Sequence, residues 1–269
     1  MSRSDAGIIE DVVKRESGIM IMPGKGYLLE TRLLPVAFRH GLDGLPALAL
    51  RLKADNDPEL LREVIEAMAA SETAFFRDYV PFQRLKDDIL PRMIRARAGT
   101  KTLRLWSAAC ATGQEAYSVA MLLRESGLIT GDWKVEILAT DISQEALAYA
   151  RAGSYTQLEV QRGLPAHYLL KYFVTDDAKW QVQPDVRAMV RFSHVNLITG
   201  FGDIEACDII LCRYALQNFD VPMQAKVLQF LKTALAPDGV LVLGLGETAR
   251  DAFRSLDPAL GLFGNTSAA

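Results

Sequence analysis

Two apolar segments in the middle of the chain end in features that could bind a ligand. The first is followed by a loop of small residues, and the second ends at an acidic residue. The first segment, residues 103–106, leads into the loop from Ser107 to Gly113, and a helical pattern follows. A second apolar run begins at Val135 and ends at Asp141. This order of strand, tight turn, helix and acid-terminated strand is typical of a nucleotide-binding βαβ unit. The acid lies where a carboxylate can accept hydrogen bonds from both hydroxyls of a ribose.

The same loop lacks the features that bind phosphate. A dinucleotide fold uses three glycines to seat a pyrophosphate on a helix N-terminus, whereas this loop has only Gly113. It also lacks the Lys-Ser/Thr ending of a P-loop. Small side chains still let a ligand approach the backbone. The loop therefore favours an adenosine ligand without phosphate, most commonly S-adenosylmethionine. The alternative is an ordinary α/β turn in which Asp141 caps the next helix.

Composition excludes several classes of protein. The net charge of −3 over 269 residues argues against bulk binding of nucleic acid. The three cysteines and the scattered histidines lack metal-ligand spacing, so no metal site is expected. An odd number of cysteines suits a reducing cytoplasm. We see no signal peptide and no apolar run of membrane-spanning length. These observations predict a cytoplasmic protein.

The hydrophobic pattern changes along the chain. Residues 1 to about 90 have helical spacing, and strands and helices then alternate. Later strands are predicted over Arg187–Val195, Asp208–Cys212 and Val240–Gly244. Between Gly153 and Pro184 this rhythm lapses, which indicates a hairpin insertion. A run of helices followed by alternating strands and helices predicts a helical domain joined to an α/β domain.

Several strings along the chain occur together in one known family. They are SETAFFRD (71–78), LWSAACATGQEAYSVAM (105–121), ATDIS (139–143), KYF (171–173), VRFSHVNL (190–197) and ILCRYALQNFD (210–220). In order and spacing they resemble the CheR family, the S-adenosylmethionine-dependent methyltransferases of bacterial chemoreceptors. The resemblance extends from about residue 8 to 250.

The resemblance implies an α/β fold with a Rossmann-like class I methyltransferase domain. It implies a helical receptor-docking domain over residues 1–75, a linker helix over 76–100 and the methyltransferase domain over 101–269. A small antiparallel β-subdomain is expected as an insertion at about 154–188. The implied activity is methylation of glutamate side chains on the cytoplasmic helical bundle of a chemoreceptor. Contact with a membrane is expected only through the receptor, and the oligomeric state stays open.

The resemblance also implies a set of cofactor-binding residues. These are Ser71, Thr73, Arg77, Glu115, Asp141, Asn196, Leu197, Arg213 and Tyr214. Thr73 and Arg77 are expected to reach the cofactor from the linker. Glu115 is expected to contact the methionyl amino group, and Asp141 the ribose. S-adenosylhomocysteine is the expected product.

The remaining members of the set have expected positions around the ligand. Asn196 and Leu197 should flank the adenine, and Arg213 and Tyr214 should line the floor of the cofactor site. For Arg213, pairing with a nearby acid is the alternative.

The implied chemistry needs few catalytic groups. A glutamate carboxylate, with a pKa of about 4.3, is ionised at neutral pH and needs neither a general base nor a metal. Arg77 could hold the attacking carboxylate or that of the cofactor, and the hydroxyl of Tyr214 could reach the methyl group. We therefore predict Arg77 and Tyr214 as the catalytic residues. The alternatives are a methyltransferase for another substrate class and a weakened or non-catalytic cofactor-binding scaffold.

The chain departs from the family pattern at several positions. Ser71 replaces the usual Asn, and Ala116 the usual Pro. Tyr214 and Asn218 occupy each other's usual positions, and they would be neighbours if the segment were one turn of helix. The final stretch, GLFGNTSAA, is expected to lack the family's closing strand with its basic residues.

Basic residues in the N-terminal helices have two interpretations. They are Arg32, Arg39, Arg51 and Lys53. An ordinary solvated face is one interpretation, and docking on an acidic receptor helix is the other.

Overall fold

The chain divides into two structural units. The computed structural model describes residues 3–22, 24, 26–54, 57–69, 72–200, 202 and 204–266. The first unit comprises Met1–Ala70 and Gln217–Gln224, and the second comprises Ser71–Leu216 and Ala225–Ala269.

Amphipathic helices build the first unit. They are α1 (Arg3–Ser17), α2 (Tyr27–Arg39), α3 (Leu45–Lys53) and α4 (Pro58–Met68). Asp57 begins α4 as its N-cap, because its carboxylate accepts from Leu60 N at 3.1 Å. The apolar faces of the helices meet in one core, where Val13, Leu33 and Val64 are fully buried.

The second unit contains the strands. In chain order they are β1 (Thr102–Ala108), β2 (Lys134–Asp141), β3 (Ser154–Thr156), β4 (Phe173–Asp176), β5 (Lys179–Val182), β6 (Val190–His194), β7 (Cys207–Cys212), β8 (Leu235–Leu243), β9 (Arg254–Asp257) and β10 (Leu262–Gly264). Two helices precede the strands, α5 (Val80–Arg84) and α6 (Leu90–Ala96). The others lie between strands: α7 (Gln114–Glu125), α8 (Gln144–Ala152), α9 (Gln157–Gln161), α10 (Ala166–Tyr172), α11 (Pro184–Arg187) and α12 (Val221–Ala234).

The large sheet has the order β6-β2-β1-β7-β8-β10-β9. Its first five strands are parallel, and β10 and β9 run antiparallel to their neighbours. The chain moves outward from β1 to β2 on one side and returns to β7 on the other. Such a reversal opens a crevice at the carboxyl ends of the central strands. The predicted α/β, Rossmann-like fold class is confirmed.

The insertion is more than a hairpin. β4 and β5 pair as a hairpin, and the distant β3 adds to the other edge of β5. The helices α9 and α10 lie between β3 and β4 in the chain. The predicted small antiparallel subdomain is therefore present, and β3 was missed because three residues are too few to show a strand period.

The stretch GLFGNTSAA, which was predicted to lack the family's closing strand with its basic residues, contains the strand β10 over Leu262–Gly264, in which no residue is basic. Leu262 and Phe263 lie in β10 and pair with Val242 and Leu241 of β8. Both are almost completely buried, so the segment shows no alternation between buried and exposed positions. Only its pairing with β8 identifies this three-residue run as a strand.

The predicted linker helix over 76–100 is a series of shorter segments. α5 continues into a π-helical turn at Leu85–Ile89 and then into α6, all within the second unit. Among the described residues, no helix combines the length and the apolar character needed to cross a membrane.

Phe75 fixes the segment before α5 to the insertion. Its ring is fully buried and makes edge contacts with Tyr155 and Phe173, at 5.0 and 5.5 Å between centroids. Gly163 lies against its backbone, since a Cβ added to Gly163 would be 2.2 Å from the Phe75 carbonyl oxygen. This contact sets the position of the neighbouring polar residues 77 and 78.

Two glycine substitutions test this contact. Gly163 and Gly127 have φ of +95° and +63°, and nothing lies within 4 Å of a Cβ at Gly127. Gly127→Ala should cost about 1–2 kcal/mol of unfolding free energy from backbone strain alone. Gly163→Ala should cost roughly 1–3 kcal/mol more because Phe75 must shift. Urea denaturation of both variants measures the difference, and equal losses would contradict the proposed contact.

Candidate functional site

The loop after β1 brings backbone rather than side chains to the crevice. Ala109, Ala111 and Gly113 all have left-handed backbone conformations, with φ of 58°, 49° and 93°. A Cβ added to Gly113 would lie 2.8 Å from the Cβ of Ala150. The loop therefore packs so closely on α8 that only glycine fits at its end.

Asp141 ends β2 and holds this loop. Its Oδ2 accepts from Ala111 N at 2.8 Å, and its Oδ1 accepts from Ser143 N at 2.9 Å. Burial raises the pKa of the Asp141 carboxyl, although the hydrogen bonds from Ser143 and Ala111 oppose that shift. A carboxylate offers about four acceptor positions, and the backbone N–H groups of Ala111, Ser143 and Ile142 do not use all of them. The group can therefore bind a diol while it fixes the loop, a second task that sequence reasoning missed.

Arg213 follows β7 and lies buried between two carboxylates. Its Nη1 donates to Glu115 Oε2 at 3.2 Å, and its Nη2 donates to Asp78 Oδ2 at 2.6 Å. Only 2% of the Arg213 side chain is exposed. Glu115, in the first turn of α7, also accepts from the Ser107 hydroxyl at 2.8 Å. Arg213 thus forms ion pairs with nearby acids, which was the alternative interpretation of this residue from the sequence.

Arg77 has different surroundings. Its Nη1 donates to the Glu72 carbonyl oxygen at 2.7 Å, and its guanidinium carbon lies 4.0 Å from the centroid of the Tyr214 ring. Within the described part of the chain no carboxylate forms an ion pair with Arg77, whereas Arg213 has two. The Arg77 cation can therefore receive an anionic group.

Tyr214 does not begin a helical turn. Its φ is 61°, in the left-handed region, and a 3₁₀ turn over Leu216–Asn218 follows. Asn218 belongs to the first unit, where its carbonyl oxygen accepts from Met20 N at 2.8 Å. The prediction that Tyr214 and Asn218 share one helical face was therefore wrong, because Tyr214 has a left-handed backbone conformation and cannot belong to the same right-handed helical turn as Asn218.

Asn196 and Leu197 lie in a turn after β6. The Asn196 side-chain oxygen accepts from Ile198 N at 3.2 Å, and its carbonyl accepts from Thr199 N. The turn is joined to the end of β2 because Val195 N donates to Asp141 O at 3.0 Å. Leu197 is 7% exposed. These two predicted adenine neighbours thus lie beside the predicted ribose ligand.

The structure says less about Thr73 and Ser71, the first two of the predicted cofactor-binding residues in the chain. Thr73 is half-buried and lies directly before the buried Ala74–Phe76 stretch. Ser71 lies outside the described residues.

Sequence reasoning missed three residues that complete the site. Asp78 bridges Arg213 and the Tyr214 hydroxyl. Glu247 accepts from Tyr214 N at 2.7 Å and from Gly244 N at 2.8 Å. A Cβ added to Gly244 would lie 2.7 Å from two carbon atoms of the Tyr214 ring. Asp78 was detectable as an acid beside a candidate arginine, whereas Glu247 and Gly244 gave no local signal.

Comparison with known proteins decides the family. The model for the CheR methyltransferase, S-adenosylmethionine-binding domain matches residues 71–258. The chain belongs to the CheR methyltransferase family. It is therefore an S-adenosylmethionine-dependent methyltransferase of a chemotaxis family, and the resemblance seen in its sequence is confirmed.

Full-length relatives agree with this CheR assignment. The chain is 34% identical to chemotaxis protein methyltransferase Cher2 of Pseudomonas putida over 87% of its own length and 86% of the relative. Chemotaxis protein methyltransferase 1 of Pseudomonas aeruginosa is 35% identical, with 91% and 90% covered. Chemotaxis protein methyltransferase of Vibrio parahaemolyticus is 35% identical, with 88% and 86% covered.

The site of this CheR protein fits its cofactor. Asp141 presents a buried acceptor pair without a phosphate-binding loop beside it. The buried Glu115 pairs with Arg213, whose Nε has no hydrogen-bond partner among the described residues. Acceptors for hydroxyl and amino groups match S-adenosylmethionine, which carries both. Among the described residues, no group of three or more His, Cys, Asp or Glu is arranged to hold a metal ion.

The raised pKa of Asp141 gives a pH test of its proposed role. Protonation removes the charge that strengthens its hydrogen bonds, so affinity for S-adenosylhomocysteine should fall as the pH falls through that pKa. Asp141→Asn should bind roughly tenfold more weakly at neutral pH and lack this step, because a charge-assisted bond contributes about 1.5–3 kcal/mol. Titration calorimetry measures both effects.

The exposed Asp87 offers a matched control. Asp87→Asn should leave both the affinity and its pH dependence unchanged. An unaltered dissociation constant in Asp141→Asn, with an intact melting temperature, would remove Asp141 from the binding site.

Proposed function

We propose that this protein methylates glutamate side chains of a chemoreceptor and forms methyl esters. The single observation that carries the proposal is the environment of Arg77. The Arg77 guanidinium has no carboxylate partner among the described residues. The Arg77 backbone contacts Arg213, because Arg213 Nη2 donates to the Arg77 carbonyl oxygen at 2.9 Å, and two carboxylates already compensate the charge of Arg213. A planar cation that can form two parallel hydrogen bonds suits a carboxylate acceptor.

The residues of the chain would divide the work as follows. Asp141 holds the ribose hydroxyls and Glu115 the methionyl amino group, while Asn196 and Leu197 flank the adenine. S-adenosylmethionine supplies a methyl group that its sulfonium already activates for displacement. Arg77 orients the acceptor carboxylate, and enclosure removes water from it. Because that carboxylate is ionised at neutral pH, the chain needs no general base.

Thr73 and Ser71 remain proposed cofactor contacts from the segment before Arg77. Thr73 precedes a buried backbone that Ser118 anchors, since Phe76 N donates to Ser118 Oγ at 3.0 Å. Arg213 would act at the cofactor site mainly through the acids it compensates, because Nη1 donates to Glu115 and Nη2 donates to Asp78 and to the Arg77 carbonyl oxygen.

Incubation with labelled S-adenosylmethionine and receptor-containing membranes tests the proposal. Label should enter the receptor as base-labile methyl esters. Arg77→Ala should lower turnover by about 10²-fold, because misplacement of a reacting group costs that much, and should change S-adenosylhomocysteine affinity less. Arg77→Lys should restore only part of the turnover.

The exposed Arg95 of α6 provides the control, and Arg95→Ala should behave as the wild type. Wild-type turnover in Arg77→Ala would exclude its proposed role. Tight binding of S-adenosylhomocysteine without any methyl ester would instead favour a cofactor-binding scaffold.

We infer that the helical unit contributes electrostatic attraction to an acidic receptor helix. Its basic residues are not equally available. Arg39 pairs with Glu63 at 2.7 Å and Arg51 with Asp57 at 3.3 Å, and these arginines help to lower the pKa of their carboxyl partners.

Lys53 is exposed and has no carboxylate partner in the described ranges. Arg32 also has no carboxylate partner in those ranges, but it is half-buried and its Nη1 donates to the Met68 carbonyl oxygen at 3.0 Å. The charge of Lys53 is therefore the most available of the four.

Two substitutions of opposite sign test this docking surface. Lys53→Glu should raise the KM for receptor severalfold, and Glu63→Gln should lower it by releasing the charge of Arg39. Both changes in KM should become smaller with added salt, because exposed charges separated by more than about 8 Å are already largely screened at physiological ionic strength. Initial-rate assays across receptor concentrations measure them. Equal KM values in both variants at low salt would exclude attraction by this surface.

A further inference from the structure

Tyr214 has a backbone conformation that its own side chain disfavours. Its φ of 61° lies in the left-handed region, which glycine and asparagine tolerate far better than an aromatic residue does. Glu247 helps to hold this conformation by accepting from Tyr214 N at 2.7 Å. Strained residues of this kind persist where surrounding contacts determine them, often at functional sites. The specific contribution of a tyrosine here must come from its ring or its hydroxyl.

The ring of Tyr214 is fixed at several points. Its hydroxyl donates to Asp78 Oδ2, and that oxygen also accepts from Arg213 Nη2 at 2.6 Å. Leu245 N donates to the same hydroxyl at 3.3 Å. The ring also lies so close to Gly244 that a Cβ there would be 2.7 Å from two ring carbons. The ring therefore has little freedom to rotate or tilt.

Arg77 lies on this immobilised ring. Its guanidinium carbon is 4.0 Å from the ring centroid, well within the range of a cation–π contact. A guanidinium that stacks on an aromatic face keeps its in-plane N–H donors available for hydrogen bonds. Nη1 uses one of these donors on the Glu72 carbonyl oxygen at 2.7 Å. The contact thus orders a long, flexible side chain without neutralising its charge.

We propose that Tyr214 is the positioning residue for Arg77 and that it acts through its ring. With Asp78 as its anchor, it holds the guanidinium in one plane, so that the enzyme favours an anionic carboxylate over a neutral carboxamide as methyl acceptor. This inference rests on the proposed methylation of glutamate. The proposed role of the ring differs from a direct catalytic role of the hydroxyl, which already forms hydrogen bonds with Asp78 and with Leu245 N.

Three variants separate the ring from the hydroxyl and from the backbone. Tyr214→Phe keeps the ring, which still packs on Gly244, but it removes the anchor on Asp78, so turnover should fall by about threefold and clearly less than in Tyr214→Asn. Tyr214→Asn removes the ring but suits the left-handed backbone, so turnover should fall roughly tenfold without a loss of melting temperature. In an Arg77→Ala background, Tyr214→Asn should cause no further loss. Affinity for S-adenosylhomocysteine should stay within about threefold throughout.

Each opposing result has a definite meaning. Equal losses in Tyr214→Phe and Tyr214→Asn would assign the effect to the hydroxyl. Independent, multiplicative losses for Arg77→Ala and Tyr214→Asn would show that the ring does not act through Arg77. A melting temperature or a cofactor affinity that falls in step with turnover would make Tyr214 structural. Any of these outcomes overturns the proposal.

A measurement without turnover distinguishes this proposal from the proposed function. In protein labelled with ¹⁵N-arginine, the ring current of Tyr214 should displace the Arg77 Nε–H signal, which Arg77→Lys identifies. The displacement should persist in Tyr214→Phe and disappear in Tyr214→Asn. If the displacement follows this pattern while the wild type forms no methyl ester, the contact between Arg77 and Tyr214 is supported and the proposed methylation of glutamate is excluded. If the wild type forms methyl esters but shows no displacement, only the proposed contact between Arg77 and Tyr214 is excluded.

Discussion

The buried guanidinium of Arg213 connects the parts of the candidate site. It joins Asp78 from the segment before α5 to Glu115 from the first turn of α7, and it follows directly after β7. A charge with 2% of its side chain exposed is stable only if carboxylates compensate it. Removal of one partner from such a buried pair typically costs about 3–5 kcal/mol. Arg213 is committed to this task, whereas Arg77 forms no ion pair with a carboxylate among the described residues.

Backbone strain is concentrated around these charges. Phe76, Asp78, Ala109, Ala111 and Tyr214 all have positive φ, although none is glycine. Such conformations cost about 1–3 kcal/mol each and persist only where neighbouring contacts determine them. Here the contacts are the Asp141 carboxylate, the Ser118 hydroxyl and the Arg213 ion pairs. The site is thus built mainly from backbone that packing holds in place, which suits a reaction that needs orientation more than acid–base chemistry.

The fold was largely predictable because its main signals are local. Helical spacing in the first ninety residues and the alternation of apolar strands with helices both depend on short-range sequence periods. The strands that were missed are β3, β9 and β10, which have only three or four residues each. They become strands by pairing, β3 with β5, β10 with β8 and β9 with β10. Segments this short have no period to detect. For the same reason the insertion was predicted as a hairpin, although β3 adds a third strand to it.

The candidate site separates local signals from long-range ones. Asp141 was predicted because a strand, a small-residue loop and an acid-terminated strand form a local pattern, and Glu115 was predicted from the resemblance of its string to the CheR family. Whether Arg213 or Arg77 carries the available positive charge was decided only by the tertiary structure, because the carboxylate partners of Arg213 are 98 and 135 residues away in the chain. The left-handed turn at Tyr214 was likewise decided by distant contacts. Local periodicity determines the strands and helices, whereas ion pairs and strained turns depend on long-range packing that no short pattern contains.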